Sequence, residues 1–198
     1  MKELIMRKMW FVGLVSLLIG CATNKSFAPS PTFVTARSGF LEQETITVSF
    51  FDSRIDQQFS ENIKIEIANH LKGTYPSCKL LFLDDEYFSK PSGRNIYLKI
   101  NIMGYNAGFG IKTTTGIGLI NGVPFAFNGV SDGKWNGIVG FTAVLYDNRN
   151  GEQKFSANIS HVITKPNVGG YRTAQGALQD SFQSAMNSLV TFIDQSLL

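Results

Sequence analysis

The sequence is short of the residues that build reactive or nucleic-acid-binding sites. Its 198 residues include two histidines, two cysteines and only 17% charged side chains. His70 and His161 stand 91 positions apart, which is no zinc-ligand spacing. Neither sign of charge dominates. The formal charge of +3 comes largely from Lys2, Arg7 and Lys8; without these and Glu3, 15 basic residues face 14 acidic ones. Such a balance offers no electrostatic reason to expect nucleic acid as a partner. There is no G-x-S-x-G elbow, no G-x-G-x-x-G between a strand and a helix, and no Walker lysine. The one acidic cluster, Asp84-Asp85-Glu86, lacks the alternating ligands and glycine of a calcium loop and reads as a solvated turn. No metal or cofactor is therefore expected. A hydrophobic content of 43% is nonetheless ordinary for a folded domain.

What is present begins at the N-terminus. Lys2, Arg7 and Lys8 precede an apolar run, Met9–Gly20, whose twelve residues suit a signal-peptide core and fall short of the ~20 that span a bilayer. The run closes in Leu18-Ile19-Gly20-Cys21, which resembles a bacterial lipobox. That pattern implies removal of residues 1–20 and diacylglycerol on the Cys21 thiol. A secretory signal with a chance cysteine and an uncleaved anchor are the alternatives. One acyl chain holds a protein only marginally, whereas the two or three of a mature lipoprotein hold it stably. Ala22 stands where inner-membrane lipoproteins often carry aspartate, so resemblance to that sorting rule implies the outer membrane, with the body in the periplasm. With Cys21 acylated, Cys78 is alone and no intramolecular disulfide can form. Cys78 opens an apolar run and reads as a small buried residue.

Residues 21–44, with Pro29, Pro31 and several serines, read as a flexible tether, although Phe27, Phe33 and Phe40 are more apolar than a spacer needs. The folded domain is expected over 45–198. Ile46, Val48 and Phe50 alternate as a strand. A helix is predicted over 57–72, with Phe59, Ile63, Ile67 and Leu71 as its stripe, Asp56 or Ser60 as its cap and Gly73 at its exit. Strands follow at 79–83 and around Ile96, Leu98, Ile100 and Ile102. Further strands carry Val139–Leu145 and Phe155–Ile163, joined by a turn with Asn150-Gly151 at positive φ. Ala174, Leu178, Phe182, Ala185, Leu189 and Phe192 mark a long final helix over 173–195. The order β-α-β-β-β-β-α predicts an α+β two-layer sandwich, two helices on one face of a mostly antiparallel sheet. Residues 104–140 break the rhythm, with ten of the 19 glycines and three charges; a glycine-rich insertion is expected at about 106–134.

The lipobox, Phe51-Asp52-Ser53-Arg54, Asn95-Ile96-Tyr97-Leu98-Lys99-Ile100, Asp147–Gly151, Lys154-Phe155-Ser156-Ala157 and the final helix together resemble YajG-type bacterial lipoproteins. More broadly the layout is similar to periplasmic auxiliary lipoproteins with two helices on a small sheet. The resemblance implies an outer-membrane lipoprotein with no catalytic residues, acting as a binding or accessory module of an envelope complex. Asp52 and Arg54 at a strand end form a local ion pair or a partner contact. The aromatics Tyr105, Phe109, Phe125, Phe127 and Trp135 of the glycine-rich stretch are candidate partner contacts, since exposed apolar surface marks interaction. A plain loop or hairpin, and a membrane-inserted hairpin whose alternation Lys112-Thr113-Thr114-Thr115 interrupts, are the other readings of the stretch. Carriage of a small apolar ligand or lipid between helices and sheet is the alternative function, and hydrolysis using His161 a third. His70 is expected on the helix surface, and His161 as a partly buried strand residue.

Overall fold

The computed structural model describes residues 23–39, 41–84, 95–109, 116–120, 123–127 and 133–198. Cys21, Phe40, Asp85 and Glu86 lie outside them. The elements are β1 (Thr23–Lys25), β2 (Thr45–Asp52), α1 (Ser60–Thr74), β3 (Lys79–Asp84), β4 (Ile96–Phe109), β5 (Gly116–Ile120), β6 (Val123–Phe127), β7 (Lys134–Asp147), β8 (Gln153–Pro166) and α2 (Tyr171–Leu197). Five strands lie in the order β3-β2-β4-β7-β8, and β1 adds to β4 as the sixth; β5 and β6 pair with each other. β2 runs parallel to β3 and β4, and the remaining pairings are antiparallel. A parallel β2–β3 pair needs a crossover, which α1 supplies. The fold is α+β, two helices on a mixed six-stranded sheet, as the element order predicts.

Pleating decides the layers. Ile46, Val48 and Phe50 of β2, Ile96–Ile102 at even positions of β4, and Val139, Phe141, Ala143 and Leu145 of β7 are all buried on the helix side. The register slips between Ile102 and Gly104. That one extra residue reverses parity, so Tyr105 and Ala107 at odd positions return to the same apolar cluster. α1 contributes Ile63, Ile67 and Leu71, and α2 contributes Leu178, Phe182, Leu189 and Ile193. Each such side chain contributes roughly 1.5–3 kcal/mol by leaving water. α2 comes closest to the sheet over Gly137, where a Cβ would stand 2.1 Å from the Ala177 carbonyl oxygen. Ser181 closes that seam: it donates to the Gly137 carbonyl at 2.7 Å and accepts from Ile163 N–H at 2.9 Å.

Several local expectations are corrected. α1 starts at Ser60, with Phe59 before it at φ 60° and no side-chain cap; Asp56 accepts from Gln58 N–H instead. The helix also runs through Gly73, whose missing side chain admits Val34. In the β7–β8 turn only Gly151 has positive φ. Asp147 organises that turn by accepting from the Arg149 backbone and guanidinium. The glycine-rich insertion is shorter than 106–134, because β4 continues to Phe109 and β7 is under way by Lys134.

The largest correction concerns the tether. From Thr23 onward the chain is bound along the domain. β1 pairs with the end of β4, and Phe27 packs against the core. Gln179 and Gln183 of α2 each form a two-bond pair with a strap peptide, at Ser30 and Phe33. These primary amides imitate a neighbouring strand, so the strap's backbone groups are satisfied without a sheet. Thr32 is held by Glu66 and His70 of α1. Arg37 donates to Asp194 at 2.8 Å, and Asp194 in turn accepts from Tyr75 Oη.

Candidate functional site

Asp52 ends β2 and Arg54 follows the strand, so both side chains turn to one side. Arg54 donates from Nε to Asp52 Oδ1 at 2.9 Å and from Nη2 to Oδ2 at 2.6 Å. Both side chains are buried, 6% and 4% exposed, so this is an internal clamp and not a surface contact. Burial alone would raise the Asp52 pKa; hydrogen bonds from Arg54 and Ser60 outweigh it and hold the carboxyl below its ordinary value. Arg54 lies 6.0 Å from the Tyr105 ring centre, and its Nη1 has no acceptor among the described residues.

The five aromatics of the glycine-rich stretch separate into three groups. Tyr105 is buried and meets Phe182 edge-on at 5.6 Å, and burial pushes its hydroxyl well up. Trp135 is buried too, and Phe109 is half-buried against it at 5.0 Å. The Tyr171 ring is 5.9 Å from Trp135, and Lys25 lies over Tyr171 at 5.6 Å. Trp135 Nε1 donates to Asn167. Phe125 and Phe127 belong to β6, opposite Gly118 and Gly116 of β5. Tyr105 and Trp135 thus brace the fold, which the sequence alone did not separate from surface aromatics.

Strand register brings one end of the sheet together. Thr23 of β1 stands opposite Phe109, Phe109 opposite Trp135, and Trp135 opposite Lys165. The 167–170 connection and the start of α2 sit at this same end, with Lys134 and Arg172 exposed. β5 and β6 lie in sequence between β4 and β7, so their ribbon issues from here.

His161 projects from β8 toward α2, with Nε2 2.8 Å from Ser188 Oγ, and burial lowers its pKa. Among the described residues no carboxylate bonds its other ring nitrogen, where a catalytic triad places its orienting acid. His70 is buried, contrary to the surface position expected for it, with Nδ1 2.7 Å from Thr32 Oγ1. It shares α1's buried stripe, three residues after Ile67 and seven after Ile63, and the strap covers it. Burial lowers the His70 pKa, with the Glu66 charge opposing. Cys78 is half-buried and donates to the Glu44 carbonyl, and burial raises its thiol pKa. Among the described residues no cluster of metal-ligating side chains occurs, and no helix is long and apolar enough to cross a membrane.

No protein-family model matches the chain, and no curated protein matches it. Solved structures do resemble it. A protein of the DUF330 family from Xanthomonas campestris is 8% identical, covering 83% of this chain and 94% of its own, at a TM-score of 0.46. A hypothetical protein from Chlamydia trachomatis is 11% identical over 78% and 98%, at 0.43. An uncharacterised lipoprotein B from Nitrosomonas europaea is 13% identical over 82% and 92%, at 0.39. Function has to be read from this chain's own residues.

Proposed function

We propose that the protein is a lipoprotein of the YajG type, held in the outer membrane by acylated Cys21. Its periplasmic domain serves as a binding module of an envelope complex and performs no catalysis. The observation that carries this is the strap. A chain leaving a mere spacer would need no bonds to the domain, yet residues 23–37 are held by β4, Gln179, Gln183, Glu66, His70 and Asp194. Such a junction converts a lipid anchor into a fixed presentation of the domain. The partner contact fits the β2–β3 edge on the helix-free face, where Phe51, Leu81 and Leu83 are 44%, 42% and 45% exposed. β3 ends the sheet there, and an edge strand offers unpaired backbone groups beside those side chains.

Two measurements test the proposal. The mass of the mature N-terminal peptide should show diacylglycerol on Cys21, and the chain should fractionate with outer membranes. A photo-crosslinker at Leu81 or Leu83 in intact cells should give a discrete protein adduct that Phe51→Glu abolishes. An unmodified Cys21 sinks the anchor; no adduct at either position sinks the binding edge.

A further inference from the structure

We infer that the end of the sheet carrying β1 faces the membrane, and that the β5–β6 ribbon enters the phospholipid surface there as a second, protein-borne anchor. This rests on acylation of Cys21 and extends it from a point of attachment to a fixed orientation.

Covalent reach places the surface. Two residues separate Cys21 from Thr23, and two residues extend at most ~7 Å. Thr23 is opposite Phe109, the last residue of β4, from which the chain proceeds to β5. An acylated Cys21 therefore holds the base of the ribbon close to the lipid.

The ribbon's register then indicates what it wants around it. Gly116, Gly118 and Ile120 share one face with Phe127, Phe125 and Val123. Ile117 and Leu119 share the other with Ala126 and Pro124. Neither face carries a polar residue, and residues 113–131 contain no charge. A ribbon packed on its own domain needs one apolar face and one wet one. β6 also comes beside β8, which can cover one face; the other still requires an apolar medium. Two isolated strands are marginal in water. At five residues each, the strands rise ~17 Å, against ~30 Å for a hydrocarbon core. The ribbon is too short to span, and its unpaired outer edges restrict it to interfacial depth.

Charge and aromatic content at the ribbon's base agree with this. Tyr171 is exposed there over the buried Trp135, with Lys25, Lys134 and Arg172 exposed around it. Tyrosine favours the membrane–water boundary, and cations favour anionic head groups.

The test uses the full-length acylated protein in vesicles of phosphatidylethanolamine and phosphatidylglycerol, with acyl chains brominated near the head-group end. Single reporters Phe125→Trp and Leu119→Trp sample the two ribbon faces, and Leu81→Trp samples the β3 edge; the wild-type signal from Trp135 is subtracted. Expected is a blue shift and loss of most of the added emission on the face that β8 leaves uncovered, at position 125, 119 or both, with none at 81. Unchanged far-UV circular dichroism in each variant reports a retained fold. Emission that survives at both ribbon faces in acylated, vesicle-bound protein overturns the insertion alone. Equal quenching at position 81 overturns the orientation. A chain without acyl groups on Cys21 removes the anchor as well.

Discussion

Gly137→Ala is the sharpest perturbation of this fold. The added Cβ would stand 2.1 Å from Ala177 O, 2.2 Å from Ala177 C and 2.3 Å from Leu178 N, all helix backbone that no rotamer change can move. Ordinary separations are about 3.5–4.0 Å, so α2 must retreat by roughly 1.4 Å or more along its contact with the sheet. The Ser181 bonds to the Gly137 carbonyl and Ile163 N–H, at 2.7 and 2.9 Å, stretch beyond useful length with it. Overpacking costs ~1–3 kcal/mol, and each weakened hydrogen bond adds ~1 kcal/mol. The sum, ~3–5 kcal/mol, is a large part of the ~5–15 kcal/mol that holds a domain folded. At ~2–4 °C per kcal/mol for a domain of this size, Tm should fall by roughly 6–20 °C. Gly140→Ala, three residues along the same strand, is the control. Its Cβ would meet nothing closer than 3.7 Å, and stability should change by no more than ~0.5 kcal/mol. Scanning calorimetry of both variants decides the matter. Equal melting of the two would refute the close approach of α2 to β7.

Three further outcomes are expected. Asp52→Asn leaves the Arg54 charge buried and should cost ~3–5 kcal/mol in a urea titration. Because Asp52 titrates below its ordinary value when folded, its contribution in the wild type is present above about pH 4 and lost as pH falls through the lowered folded pKa; the variant's acid limb should be flatter. His70 and His161 are both lowered, so the unfolded chain binds protons first, and stability should decline as pH drops below about 6.5. Urea midpoints at neutral and acid pH should lie closer together in His70→Gln than in the wild type, with His161 supplying the remaining difference, and an unchanged slope would argue against the buried, neutral ring. Gln179→Ala with Gln183→Ala removes both amide pairs from the strap. Hydrogen exchange at Ser30 and Phe33 should then accelerate at least about tenfold, as expected for a loss of ~1.4 kcal/mol or more, while β7 stays protected.

Periodicity carried most of the secondary structure. Alternation in β2, β4, β7 and β8 and the four-residue stripe of α1 are local properties, so these elements and α2 could be recognised, although β4 and β7 run on past the alternating stretch and β1, β5 and β6 gave no such signal. The failures were of another kind. Phe59 enters α1 through a left-handed turn that no cap residue announces. Gly73, which suits a helix end, stays helical because Val34 needs the space. Tyr105 and Trp135, set among glycines, resembled surface aromatics; the bulge at Ile102/Gly104 turns Tyr105 inward, and Trp135 keeps the inward parity of Val139 and Phe141 on β7. His70, seven residues after Ile63, shares the buried stripe of α1, and Thr32 of the strap closes over it.

The sequence by itself determined the class: the lipobox-like leader, the near-neutral charge, and an element order that permits little besides two helices on a sheet. These follow from composition and from patterns within a few residues of each other. The tertiary structure alone decided which strands run parallel, why a glycine must stand at 137, and where residues 23–37 go. Those depend on meetings across tens of positions, and for Ser30 with Gln179 and Phe33 with Gln183 across more than a hundred, which no local pattern encodes. A stretch rich in proline and serine is a spacer when nothing binds it. Here two glutamines a helical turn apart supply the hydrogen bonds its backbone lacks, and the spacer becomes part of the fold.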